Sequence, residues 1–156
     1  MCIFEKMNIC TFQIYRCRIT VDIEKTTAFY ADQNLITIDC ACDNCRHFAE
    51  NVINKNVRVF QILSKMGVNL AKNENNQPDG LWHTGSRNKF KNSYIHYYKI
   101  FGTIGKTTLS TLKTDENGLK TVEYFDNETD SYTNYIFRQT KEDEIECQIN
   151  IECDRK

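Results

Sequence analysis

Several things are missing from this chain, and each absence removes a class of protein. No apolar run approaches the length that crosses a bilayer; the longest are a handful of residues, so no membrane helix is expected. No segment carries a basic block, and 20 Lys and Arg stand against 21 Asp and Glu. The usual electrostatic footprint of a nucleic-acid binder is therefore missing. There is one proline, Pro78, inside a polar Gln77-Pro78-Asp79-Gly80 turn, and there is no internal repeat or low-complexity segment. Met1 to Met7 has no apolar core followed by a small-residue cleavage site, so no secretory signal is read there. That reading places the chain in the cytoplasm, where its eight cysteines are expected as free thiols or metal ligands rather than disulfides.

What remains has globular proportions. Of 156 residues, 40% are apolar and 26% charged. On the scaling of surface with size, such a chain removes roughly two-thirds of its unfolded surface from water. One domain over 1–156 is expected, with a mixed half over 1–72 and a sheet half over 80–154. The first six residues are read as peripheral.

Ile9 to Val21 reads as one strand whose alternation slips in the middle, as a bulge or burial on both faces would cause. Asp22 can cap a short helix holding Glu24, Phe29 and Tyr30. Leu35 to Asp39 reads as a second strand. Beyond it Cys45, Phe48, Ala49, Val52 and Ile53 mark one helical face, with Asp43 as the expected N-cap. A further helix from about Val57 carries Val59, Phe60, Leu63 and Met66; Gly67 suits a left-handed C′ position, with Val68 folding back on Leu63. Asn73 to Gly80 is a polar loop between the halves. Strand-like runs follow near Tyr94–Ile104, Thr107–Lys113, Leu119–Phe125, Tyr132–Gln139 and Ile145–Cys153. Asp115 to Gly118 and Asp126 to Asp130 supply turns. The fold class is α+β: an N-terminal strand and helices packed on a C-terminal antiparallel meander of four to six strands.

Chemistry concentrates at Cys40-Ala41-Cys42-Asp43-Asn44-Cys45. Thiolates suit zinc, copper(I) or an iron–sulfur cluster, and Cys-x-x-Cys lets two sulfurs converge on one ion. Cys40 adds a third sulfur. A closed zinc site needs a fourth ligand, for which His83, His96 and Cys17 are the candidates. His47, two residues beyond Cys45, is turned about 200° away on a helix. Sulfurs within about 4 Å of one another would mark a site, given zinc–sulfur bonds near 2.3 Å.

Two other readings stay open. A Cys-x-x-Cys at a helix start suits thiol redox chemistry, although the charge of Asp43 opposes a thiolate and Pro78 does not face the pair. Cysteine also packs as a small core hydrophobe: Cys17 shares a face with Ile19, and Cys147 and Cys153 share one with Ile149 and Ile151.

Elsewhere the signals are weaker. Gly102 to Thr107 ends in Gly-Lys-Thr like a phosphate-binding loop, but Ile100 occupies the first glycine position and a strand, not a helix, follows. Tyr94, His96, Tyr98 and Ile100 share one face of a strand and Ile95, Tyr97 and Phe101 the other, which suits a central strand covered on both sides and makes His96 a core residue. The tyrosine hydroxyls there could line a polar cavity for a small ligand. Trp82 and His83 could rim a pocket or begin a strand. Glu142-Asp143-Glu144 reads as a solvated turn, and Asn127-Glu128-Thr129 is an idle glycosylation match.

Three stretches also carry a resemblance: Thr20-Val21-Asp22-Ile23-Glu24-Lys25-Thr26; Cys40 through Cys45 with Arg46-His47-Phe48; and Phe60 and Leu63 ahead of Met66-Gly67-Val68-Asn69-Leu70. Together they resemble a group of small uncharacterised proteins from Gram-positive bacteria that carry Cys-x-Cys-x-x-Cys followed by Arg or Lys and Phe. The resemblance covers the first half of the chain and implies a bacterial cytoplasmic setting. It assigns no activity and no site residue.

The sequence thus leads to a non-enzymatic reading with no catalytic residues: a metal, most simply zinc, held by Cys40, Cys42 and Cys45. The alternatives are a ligand- or protein-binding module with structural cysteines, using an aromatic sheet face, and a thiol redox protein. No nucleic-acid or membrane partner is expected.

Overall fold

The computed structural model describes residues 2–6, 8–74, 81–85, 92–107, 113–114, 116, 119–128 and 130–154. Three strands come first, β1 (Cys2–Lys6), β2 (Ile9–Ile14) and β3 (Cys17–Asp22). The helical stretch holds α1 (Ile23–Ala31), α2 (Ile36–Asp39), α3 (Asp43–Glu50), a 3-10 turn (Val52–Asn54) and α4 (Arg58–Lys65). Six more strands follow: β4 (Leu81–Gly85), β5 (Asn92–Thr107), β6 (Lys113–Thr114), β7 (Lys120–Asn127), β8 (Ser131–Lys141) and β9 (Glu144–Cys153). The architecture is α+β, as the sequence pattern indicates.

All strand pairs are antiparallel, in the order β1-β2-β3-β5-β9-β8-β7-β6, with β4 also pairing with β5. The long strand β5 organises the sheet. One of its edges pairs with β9 from Asn92 to Phe101; the other takes β4 over Asn92–His96 and β3 over Gly102–Thr107. Between those partners a short stretch of β5 backbone has no strand beside it, and α1 fills the gap. The Tyr30 hydroxyl donates to the Lys99 carbonyl at 2.9 Å and accepts from the Lys99 N–H at 2.8 Å. Thr26 Oγ1 accepts from the Phe101 N–H at 3.1 Å. Backbone groups that would otherwise be buried unpaired are thereby satisfied. Gly102 is needed where β5 meets β3, because a Cβ there would run into the Thr20 carbonyl.

Helices cover one face of the sheet. On β5 Tyr94, His96, Tyr98 and Ile100 are buried, while Ile95, Tyr97 and Lys99 are half-buried; β8 and β9 alternate in the same way. Central β5 is therefore fully covered on one face only, not on both. The Phe48 ring of α3 stacks on His96 at 5.6 Å and lies 5.7 Å from Tyr94. The ending of α4 matches its sequence reading. Gly67 has φ +95°, its N–H bonds the Ser64 carbonyl, and the Val68 N–H bonds the Leu63 carbonyl.

The sheet also curls, bringing the β2–β3 tip to β7 although β5, β9 and β8 lie between in the sheet order. Tyr15 stacks on Tyr124 at 5.5 Å, and the Tyr124 hydroxyl donates to the Ile14 carbonyl. Buried Asp126 accepts from the hydroxyls of Tyr15 (2.9 Å) and Tyr135 (2.8 Å). Arg58 sits over the Tyr15 ring at 4.2 Å.

Four expectations are corrected. Ile9–Val21 is a hairpin, and its phase slip is a two-residue turn with Tyr15 at φ +52° between Ile14 and Cys17. Leu35–Asp39 is not a strand: Leu35 makes one bridge to Lys72, and α2 begins at Ile36. Residues 2–6 are not peripheral, since β1 pairs along β2. Cys10 is disulfide-bonded, whereas Cys17, Cys40, Cys42, Cys45, Cys147 and Cys153 are free thiols. A cysteine count says which thiols are available, not which side chains meet. Pro78, most of the Thr107–Lys113 run and parts of both the Asn73–Gly80 loop and the Asp115–Gly118 turn lie outside the described residues, as does the Trp82 side chain.

Candidate metal centre

The cysteine stretch joins two helices. After α2, Cys40 is extended at φ −144°, ψ 117°, and Cys42 is extended at φ −71°, ψ 162°. Residues two apart on extended chain project to the same side, which aligns Cys40 with Cys42. Cys42 is the N-cap of α3, so Cys45 is the third residue of the helix, on the same side as its cap. One extended step and one helical turn thus gather three sulfurs from six residues, all within 4.8 Å of one another. That bound is about 0.8–1 Å wider than the S···S separation of about 3.8–4 Å required by metal–sulfur bonds near 2.3 Å.

The three thiols sit at different depths: Cys45 is buried, Cys40 half-buried and Cys42 exposed. The Cys45 N–H points at Cys42 Sγ at 3.4 Å. This backbone donor, with the Cys40 thiol beside it, holds the Cys42 pKa below its ordinary value. Burial first, then the neighbouring sulfurs, pushes Cys45 the other way. Asp43, expected as the N-cap, is instead the first residue of α3 and pairs with Arg46 at 3.7 Å.

Side chains outside the cysteine stretch fix its position. Asp39, just before Cys40, accepts from Asn34 Nδ2 at 3.0 Å and from Asn73 Nδ2 at 2.5 Å. Asn73 Oδ1 meets His96 Nε2 at 3.2 Å, which ties the segment to the centre of β5. Neither Asn34 nor Asn73 carries a sequence signal for this role, because the partners lie far apart along the chain.

None of the three candidates for a fourth ligand joins the cluster. His96 is buried and turned to Asn73, and its pKa falls to about 3 through burial. His83 Nε2 bonds Asn92 Oδ1 at 2.8 Å. Cys17 is buried on β3, its Sγ 3.8 Å from the Arg18 carbonyl. His47 points to the Tyr94 hydroxyl at 2.6 Å. Among the described residues, the one group of three or more His, Cys, Asp or Glu side chains with metal-ligand spacing is Cys40, Cys42 and Cys45.

Core packing accounts for Cys17, Cys147 and Cys153, all fully buried. It does not account for an exposed Cys42. Two of the β5 tyrosine hydroxyls are engaged within the fold: Tyr94 bonds His47, and the Tyr98 hydroxyl donates to the Leu70 carbonyl at 2.7 Å. A recess of about 670 Å³ lies instead among α1, the 3-10 turn and residues 67–72. Its one cationic side chain, Lys72, is bonded to the Tyr30 carbonyl. Gly102–Thr107 is strand throughout, which removes the phosphate-loop reading, and Asp143 lies in the turn between β8 and β9. No helix of the described residues is long and apolar enough to cross a membrane.

Among known proteins, no family model, curated protein or solved structure matches this chain.

Proposed function

We propose that the chain is a metal-binding protein whose centre is formed by the thiolates of Cys40, Cys42 and Cys45. The observation that carries this reading is the convergence of three sulfurs from one short segment, one of them open to solvent. Binding replaces three thiol protons with one ion, so affinity rises with pH as those protons become easier to displace. A divalent ion among three thiolates leaves one net negative charge; Arg46, paired with Asp43, reaches the Ala41 carbonyl between Cys40 and Cys42. The ion also locks the junction between α2 and α3, which couples metal loading to the stability of the helical layer.

Metal analysis after chelator-free purification tests the reading. Wild-type protein is expected to retain about one equivalent of metal, and Cys153→Ala to match it, while Cys42→Ser loses most of it. Wild-type content below roughly a tenth of an equivalent, unchanged after reconstitution of the reduced protein, would overturn it.

A further inference from the structure

We propose that this centre takes copper(I) in a three-coordinate, all-sulfur site, rather than zinc in a closed four-coordinate one. The inference rests on the metal-centre reading above and narrows it to one class of ion.

The donor set is the first argument. Among the described residues the cluster contains three sulfurs and no imidazole or carboxylate at ligand spacing. Each of the three histidines is hydrogen-bonded away from the cluster: His47 with Tyr94, His83 with Asn92 and His96 with Asn73. Zinc favours four ligands, and no fourth protein ligand lies at ligand spacing among the described residues. Copper(I) is a soft ion selected by thiolates, and three of them suffice for it.

Spacing is the second argument. The three sulfurs lie within 4.8 Å of one another, close enough to draw into the separation of about 4.0 Å that a flat trigonal site with metal–sulfur bonds near 2.3 Å requires.

Depth is the third. Cys45 is buried and Cys40 half-buried, and both positions are fixed by the packing of α3 and by the Asp39 anchor. Cys42 alone is exposed. A copper(I) ion would meet Cys42 first and then settle against two thiols already in place, displacing their protons. Loading releases up to three protons, involves no change of oxidation state and leaves two net negative charges at the mouth beside Arg46.

The test is an anaerobic titration of reduced protein with copper(I) against a colorimetric copper(I) chelator, and in parallel with zinc(II), followed by X-ray absorption of each loaded form. One copper(I) per chain with three sulfur neighbours is expected, together with a zinc form that has three sulfurs and a light solvent atom. Cys42→Ser, at an exposed position that leaves the core intact, should weaken copper(I) binding by more than about tenfold, the loss seen even for an outer partner of a ligand. Four protein sulfur or nitrogen ligands on zinc, or copper(I) affinity unchanged in Cys42→Ser, would overturn the three-coordinate inference and leave the metal-centre reading standing. Binding of neither ion would remove both.

Discussion

His96 shows how a single side chain can carry both structure and pH response. It sits under the Phe48 ring, fully buried, and its pKa falls to about 3 because burial disfavours the charged ring. In the unfolded chain it titrates near 6.5. Between those values the unfolded state takes up a proton that the folded state refuses. Its stabilising effect is complete above pH ~6.5 and falls by up to ~1.4 kcal/mol per pH unit as the pH drops toward 3. Urea unfolding at a series of pH values should show this slope, and His96→Gln should reduce it; equal slopes would rule out His96 as the source. The sequence made His96 legible as a core residue, because alternation placed it between Tyr94 and Tyr98. It could not show that His96 holds Asn73, and through it Asp39, because that chain of contacts spans residues brought together only by folding.

At the scale of elements, local signals were legible and overruled ones were not. Gly67 and Val68 fix the end of α4 through bonds to carbonyls three and five residues back, so sequence suffices to see it. The β-branched Ile36-Thr37-Ile38 run suggests a strand, yet it folds as one helical turn, closed by the Asp39 and Cys40 N–H groups on the Leu35 and Ile36 carbonyls, with Ile36 buried and Ile38 exposed. The Tyr15-Arg16 turn was hidden for another reason: it lacks the Gly or Asn that marks a hairpin, and holds Tyr15 at positive φ through contacts with Tyr124, Asp126 and Arg58. Helix α1 yields a sharper test. Tyr30→Phe keeps the ring and deletes the hydroxyl that serves both backbone groups of Lys99. A loss of about 1–3 kcal/mol in denaturant unfolding is expected, with faster hydrogen exchange at the Lys99 amide. No change in either would mean that water replaces the hydroxyl without cost.

For the molecule as a whole, Asp126 ties the two ends of the curled sheet. Its carboxylate receives Tyr15 from the β2–β3 hairpin and Tyr135 from β8. Asp126→Ala should cost about 2–3 kcal/mol, since two hydroxyls lose a charged acceptor. Tyr15→Phe should cost less, because its hydroxyl is the more exposed of the two. Thermal unfolding of both variants measures the difference, and equal losses would locate the whole effect at Tyr15. The same sheet has a consequence for how the chain folds. β9 is last of the nine described strands in chain order, yet it lies between β5 and β8. Until residues 144–153 pair, the β5 and β8 edges that flank β9 both lack that partner. A partly folded state without β9 is the one in which the sheet offers two open edges to a neighbouring chain.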